Sequence, residues 1–421
     1  MKKKTRLLLF ALMYMSFAAS AQQSYLHQVI VLNEGPFGGP ASVGTYDPIG
    51  KTYHTFDNID AAFASDALVA DGYIYVAADS QLIKYDADTY QRLEIQQVPG
   101  IRELAIWNDH ILVSRADISP LSSYFQAYHA SDLALAYELT AVSERSSQIE
   151  VVGDKAYVIV NGWGTVGKIA IIDLVGEQLE TEIDLGPEGL NPEAIYRQQG
   201  NLYTVNAMDW TVSSVSKYNI SGGTVQNQSF YHQSACAGSA MYLNNLYFQP
   251  YTDTTGAKMN KNLGVINGNS LNVWDTLNID RSIYGMGIDS MNASIYLGTT
   301  DYSTYGRVYQ YDFYGQPLDS FDVDVSPGTF AFDVREATGM EEQAQMYFTV
   351  GPNPFVDELT IKSEKGLDGV RIYDVQGRIL LEIGSINSGN VALELDFLAP
   401  GLYTLTAISS GTVLSKRIIK Q

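Results

Sequence analysis

A unit of about 45 residues recurs through most of the chain, and this limits the possible folds more than any other feature. Its clearest segment is an apolar strand introduced by a small polar turn: Gly72-Tyr73-Ile74-Tyr75-Val76, then Asp109-His110-Ile111-Leu112-Val113 and Asp154-Lys155-Ala156-Tyr157-Val158. The segment returns around Tyr203, Tyr247 and Tyr296, so that the reference positions 75, 112, 157, 203, 247 and 296 stand 37, 45, 46, 44 and 49 residues apart. A following strand ends in an aromatic or aliphatic residue plus a polar one, as in Tyr85-Asp86, Tyr128-His129, Ile172-Asp173, Tyr218-Asn219 and Tyr311-Asp312. A turn and a weaker outer strand complete each unit. Four strands repeated at this period are the pattern of a β-propeller blade, which leaves two apolar faces bare unless blades stack in a ring. Residues 28–59 make one further unit without an innermost strand, and residues 329–334 read as that strand, supplied from the other end of the domain. The expectation is an all-β chain with a seven-bladed propeller over residues 22–335.

The 29 tyrosines and 36 glycines suit such a strand-and-turn architecture. Twenty-six basic against 47 acidic residues give a net charge of −21, which argues against a nucleic-acid partner. The single cysteine, Cys236, excludes an internal disulfide and a cysteine-based zinc site. Residues 1–21 read as a secretory signal peptide: Lys2, Lys3, Lys4 and Arg6 precede an apolar stretch too short to span a bilayer, and Ala19-Ser20-Ala21 offers a small-x-small cleavage site. Its removal takes four positive charges and leaves −25. No later segment is long and apolar enough to cross a membrane, so an exported monomer is expected.

Residues 336–345 are polar, break the strand rhythm and read as a linker. Beyond them, residues 346–421 alternate apolar and polar residues in short runs separated by turns, the pattern of a small β-sandwich. Three segments here are specific: Pro352-Asn353-Pro354-Phe355, then Ile372-Tyr373-Asp374-Val375-Gln376-Gly377-Arg378, then Leu398-Ala399-Pro400-Gly401-Leu402-Tyr403. In order and spacing they resemble the type A C-terminal sorting domain of the type IX (Por) secretion system. The resemblance implies a member of the Bacteroidetes, export through the Sec and type IX systems, the type IX machinery as partner of residues 346–421, and a destination at the cell surface or outside the cell.

Chemistry-bearing motifs are sparse. Gly162-Trp163-Gly164-Thr165-Val166-Gly167-Lys168 approaches a phosphate-binding loop, but Ile169 stands where Ser or Thr would hold Mg²⁺ and Lys168 opens a strand. His27, His54, His110, His129 and His232 fall in different units without ligand spacing. Asp86-Ala87-Asp88 and Asp322-Val323-Asp324 lack a fuller calcium-loop pattern and read as solvated turns. No catalytic residue, metal or cofactor is assigned. Trp107 and Trp274 sit in strand patterns and are expected in the core.

The loops after the second strand of each blade carry more information, because in a propeller they emerge on one face. They contain Asn33, Glu34 and Phe37; Asn161 and Trp163; Asn206, Asp209 and Trp210; Tyr251; and Asp301, Tyr302 and Tyr305. Aromatics mixed with amides and carboxylates on one rim make a candidate ligand-binding surface, although each ring could instead cap a blade seam. The opening Asn33-Glu34-Gly35, the polar turn before a Tyr-bearing strand and the Tyr-Asp ends also resemble the YncE-like, DUF5074-type surface propellers of Bacteroidetes. That group includes lipid-anchored proteins that capture cobalamin for a TonB-dependent outer-membrane receptor. The resemblance implies a non-enzymatic ligand-binding propeller with a corrinoid as favoured ligand and such a receptor as partner. The sorting domain in place of a lipid anchor departs from it. A glycan-binding or adhesion protein would use the same rim, and a propeller-class lyase or hydrolase would need carboxylates such as Glu34 and Asp209 near the channel.

Overall fold

The computed structural model describes residues 24–117, 119–208, 212–230, 234–250, 261–336, 348–374, 378–409 and 412–421. The expected signal peptide and, apart from Glu336, the expected linker lie outside these residues, as do Asp209, Trp210 and Tyr251. The chain divides into two compact units, Met1–Glu336 and Ala337–Gln421. Among the described residues no helix is long and apolar enough to cross a membrane.

The first unit consists of seven four-stranded antiparallel sheets. Its innermost strands are Pro327–Glu336 (blade 1), Ala64–Ala70 (blade 2), Ile101–Trp107 (blade 3), Ser146–Val152 (blade 4), Pro192–Gln198 (blade 5), Ser234–Tyr242 (blade 6) and Gly285–Asp289 (blade 7). Each packs against the next, and blade 7 returns to blade 1, closing the ring around a central channel. Blade 1 is the composite anticipated above: Pro327–Glu336 pairs antiparallel with Ser24–Asn33, so both ends of the unit share one sheet. Polar bonds hold the closure. Gln28 Nε2 donates to Asp333 Oδ2 at 2.9 Å, and Arg335 bridges Asp333 at 2.7 Å and Asp88 at 2.6 Å. Asp324, expected in a solvated turn, instead accepts Ser42 Oγ at 2.7 Å, tying the segment after blade 7's outer strand to blade 1.

The sequence repeat has a physical basis at each position. The turn before the second strand demands left-handed backbone: φ is 50° at Asp71 and 79° at Gly72, with the same pairing at Gln199-Gly200 and Leu243-Asn244. Reference residues Tyr75, Leu112, Tyr157, Tyr203, Tyr247 and Tyr296 are all buried between blades. The polar residue that ends the third strand closes the next turn. Asp86 Oδ1 accepts the Thr89 amide at 2.8 Å, Asp173 Oδ1 the Val175 amide at 3.1 Å, and Asp312 Oδ1 the Tyr314 amide at 2.9 Å. The tyrosine before it reaches the preceding blade's outer strand. Tyr85 donates to Asp57 at 2.8 Å, and Tyr46 donates to Asp319 at 2.7 Å while stacking on Phe321 at 3.8 Å. Trp274 differs from expectation. It lies on blade 6's outer strand, which has a solvent face, and is 58% exposed. Trp107 is partly buried against the seam of blades 3 and 4.

The second unit is one five-stranded sheet that bends over a single core. Its strands Glu358–Tyr373 and Ile379–Glu394 form a long hairpin whose register breaks between Lys362 and Gly369. Before the break the first of them also pairs with Phe348–Gly351, and after it with Gly401–Ser409, which in turn pairs with Thr412–Lys420. The inner face buries Phe355, Leu359, Ile361, Val370, Ile372, Leu405 and Ile418, giving the sandwich-like body expected for residues 346–421. Its motif residues hold this fold. Asn353 accepts the Ile419 amide at 2.8 Å and donates to Arg417 O at 3.0 Å, Tyr403 donates to Ala399 O at 2.6 Å, and Arg378 Nε meets Asp374 at 2.7 Å.

Candidate functional site: the mouth of the central channel

The loops after the second strands and the connections into the innermost strands lie on one face, stitched by backbone bonds. Glu34 N–H donates to Ser326 O, Asp79 N–H to Phe63 O, Ala116 N–H to Gly100 O, Asn161 N–H to Arg145 O and Met208 N–H to Leu190 O. The first residues of the innermost strands therefore sit at the channel end beneath these loops. There the strands are irregular. Register breaks fall between Ala64 and Asp66, Ile101 and Leu104, Ser146 and Ile149, Pro192 and Ala194, and Ser234 and Ser239. A bulge breaks the in–out alternation of a strand and re-aims side chains. These bulges carry Ser65, Arg102, Glu103, Gln148 and Glu193, with Glu150 two residues further on.

The resulting cluster is rich in carboxyl groups in restricted solvent. Burial pushes Glu34 above the usual carboxylate range, against the pull of a Tyr284 hydrogen bond and the Arg102 charge. Burial raises Glu150 to about 7, opposed by the Arg197 amide and charge. Glu193 stays accessible to water while walled by protein, and desolvation raises it to about 7 against Arg102. Asp66 and Glu103 are both raised, first by burial, with the Asp66 charge adding at Glu103. Side chains also tie neighbouring blades together: Asp66 Oδ2 accepts the Leu104 amide at 2.8 Å, Gln148 Oε1 the Ile195 amide at 2.9 Å, and Tyr196 OH contacts Ser239 Oγ at 2.9 Å. Among the described residues no three His, Cys, Asp or Glu side chains converge closely enough to hold a metal ion.

Above this cluster lie the loop residues singled out from sequence. Phe37 is fully exposed, Tyr305 79%, Tyr302 58% and Trp163 49% exposed. Two of them are held in left-handed backbone, φ 57° at Trp163 and 66° at Tyr302, a conformation that costs a bulky residue about 1–3 kcal/mol. Asn161 fixes the first, its Oδ1 accepting the Trp163 amide at 3.1 Å, and the Arg145 guanidinium lies 5.0 Å from the indole ring. Asp301 fixes the second loop by accepting the Ser303 amide at 2.9 Å and the Thr304 amide at 2.7 Å, bonds that hold its carboxyl well below the ordinary range. Tyr302 meets Tyr284 edge-on at 5.5 Å, and Tyr284 bonds Glu34, whose carboxyl lies over Gly328. A Cβ at Gly328 would sit 3.0 Å from Glu34 Oε1. Arg102, 5.2 Å from the Phe63 ring, completes the chain of contacts into the channel.

Asn33 and Asn206 are placed otherwise, both wholly buried. Asn33 Nδ2 donates to Tyr53 OH at 3.0 Å, and Asn206 Nδ2 donates to Ser214 and Ser216 Oγ, each at 2.9 Å. They brace the loops from within. Sequence reasoning overlooked Asp66, Arg102, Glu103, Gln148, Glu150 and Glu193. A signal existed: Asp66, Glu103 and Gln148 each stand nine residues before the reference positions Tyr75, Leu112 and Tyr157, polar residues at one repeat position in strands bound for the centre.

Residues 349–421 match the family described as a secretion system C-terminal sorting domain, and the bent sheet is that domain. The protein is therefore cargo of the type IX secretion system, delivered to the cell surface or the extracellular space. The propeller resembles a candidate 6-phosphogluconolactonase from Bacteroides fragilis, at 11% identity and TM-score 0.52, covering 73% of this chain and 98% of that one. The extracellular domain of a candidate hybrid two-component system from B. thetaiotaomicron is similar at 11% identity and TM-score 0.50, covering 96% of this chain and 59% of the other. Hydrazine synthase from Kuenenia stuttgartiensis matches at 14% identity and TM-score 0.49, covering 61% and 85%. At such identities the likeness concerns the fold alone. No curated protein matches the sequence significantly.

Proposed function

We propose that this secreted protein is a non-enzymatic ligand-binding propeller whose ligand seats on the channel mouth, with a corrinoid as the favoured ligand. One observation carries the reading: bulges at the channel end of the innermost strands bear Arg102, Glu103, Gln148 and Glu193, beneath loops that hold Phe37, Trp163, Tyr302 and Tyr305 out in water. Phe37 and Tyr305 stand out in water, and Trp163 and Tyr302 keep about half their surface exposed despite a left-handed backbone, so the loops offer flat apolar area to a partner. A broad macrocycle fringed with amides suits that arrangement. The rings would cover its faces, while Arg102, Gln148 and carboxyls that keep protons near pH 7 would donate to its amide oxygens. Delivery to the cell surface puts the protein where it could pass such a ligand to a TonB-dependent receptor.

The test is calorimetric titration of the full chain with cyanocobalamin. A stoichiometric isotherm with quenched tryptophan fluorescence, weakened by Trp163→Ala, is the expected result. No heat and no spectral change at high concentration would remove the corrinoid. Binding to a polysaccharide array that depends on Trp163 would then move the same mouth to a glycan ligand.

A further inference from the structure

His110 opens the second strand of blade 3, His110–Arg115, and His129 ends the third, Phe125–His129. They stand 19 residues apart in the chain, and although the sequence pattern set the five histidines in different units, the hairpin places these two directly opposite each other. His129 N–H turns away to Ala134 O at 2.9 Å, while Ala130 N–H donates to Asp109 O at 2.7 Å. The pair is therefore a non-hydrogen-bonded one, the kind in which facing side chains stand closest. Their imidazole rings lie 5.0 Å apart, centre to centre, at a tilt of 46°.

That separation matches shared coordination. Two imidazoles on one tetrahedral ion, with Zn–N bonds of about 2.0–2.1 Å, have their ring centres about 5 Å apart. Asp109 adds the group that would orient one of them. Its Oδ1 lies 2.8 Å from His110 Nδ1, close enough to hold a proton there once the two align, and nothing else bonds that buried nitrogen. A proton on Nδ1 leaves the Nε2 lone pair for a metal, with the carboxylate fixing tautomer and ring.

Solvent reaches the pair: 18% of the His110 side chain and 80% of the Asp109 side chain are exposed, and His129 is half-buried. Strand alternation puts both histidines on the face that carries Leu112, Phe125 and Ala127 against blade 4. The Trp107 and Tyr137 rings lie 6.1 Å and 6.5 Å from that of His110. The turn before a second strand is at the opposite end of the blade from the loop after it, so the pair stands away from the channel mouth.

We infer that His110 and His129 form an open site for a borderline divalent ion of the Zn²⁺, Ni²⁺ or Cu²⁺ class, with Asp109 positioning His110 and water completing the coordination. Imidazole nitrogen suits these ions, whereas Ca²⁺ and Mg²⁺ take oxygen. The chain's net charge of −21 raises the local concentration of cations. The site goes beyond the ligand reading of the mouth and is independent of it.

The experiment is titration of the untagged full chain with Cu²⁺, followed by tryptophan fluorescence. Copper at the pair should quench Trp107, so Trp107→Phe should remove the quench; no quench in the parent, or one that survives this substitution, would overturn the site. Zn²⁺, which has a filled d shell, should displace copper and restore the emission, while Ca²⁺ should not. His110→Ala or His129→Ala should abolish the quench at the copper concentration that saturates the parent, and His54→Ala should keep it. A quench retained in both of the first two would overturn the site. Asp109→Asn should weaken copper binding roughly tenfold, the usual cost of losing a carboxylate behind a metal-bound histidine, and unchanged affinity would overturn its positioning role. Should the histidine variants fail to fold, electron spin-echo spectroscopy of the copper-loaded parent decides. Two equatorial imidazoles are expected, and one or none would overturn the site.

Discussion

The propeller and the sorting domain are both antiparallel β-structures, yet their sequences carry information of different kinds. Residues 22–347 hold 15 basic and 39 acidic residues, a charge of −24, whereas residues 348–421 hold 7 and 8, a charge of −1. In the sorting domain each diagnostic motif is one stretch of chain whose residues bond to one another or to the adjoining terminal strand. Asn353 meets Arg417 and Ile419, and Asp374 meets Arg378. In the propeller the diagnostic feature is a period, and residues at one repeat position meet only after seven blades have closed. A contiguous motif can identify a domain from sequence, whereas a ring of dispersed residues declares architecture and leaves its centre unread.

The largest test of this contrast is where each unit depends on its own chain end. A chain stopped after Ser326 loses the innermost strand of blade 1, the pairing with Ser24–Asn33 and the Gln28–Asp333 bond. It should yield no cooperative melt by circular dichroism. A chain stopped after Glu336 keeps all seven sheets and should melt cooperatively; failure to do so would tie the propeller to the sorting domain. Next comes Phe355→Ala. Phe355 is fully buried in the sorting domain, and its truncation should cost about 3–5 kcal/mol there. Hydrogen exchange of the full chain should show lost protection over residues 348–421 with blades 1 to 7 unchanged.

A smaller effect concerns the mouth. Trp163→Ala should weaken cyanocobalamin binding by about 1–2 kcal/mol, roughly tenfold or somewhat more, as for an exposed aromatic anchor. Its unfolding midpoint should barely move, and calorimetry beside a thermal melt separates the two. The smallest is Tyr305→Ala: with 79% of the residue exposed, stability should change within about 0.5 kcal/mol by urea unfolding. A larger loss would make that ring part of the propeller's packing.

Much of the fold was legible because its causes are local. Glycine or a short polar residue allows the tight turn before each second strand, and Asp86, Asp173 and Asp312 close the turns that follow them. The composite blade was legible too, since an incomplete first unit and an extra final strand have one economical pairing. The candidate site was legible only at its rim. Trp163, Tyr302 and Tyr305 declared themselves as aromatics in loops, but Asn33 and Asn206 looked equally suitable and turn inward, because their amides satisfy buried hydroxyls. Trp274 looked like core because it sits in a strand. Whether an outer strand's face is covered depends on its neighbour in space.

The sequence by itself determined the blade period, the ring closure and the secretion address, since each follows from residues adjacent in the chain or from a count of units. Only the tertiary structure decided what fills the channel mouth. Asp66, Glu103, Glu150 and Glu193 come from four different blades, and the bulges that bear two of them show no signature in a hydrophobic pattern with period two. Their raised proton affinities arise from burial, with repulsion from Asp66 adding at Glu103, and both exist only once the ring has brought the strands together.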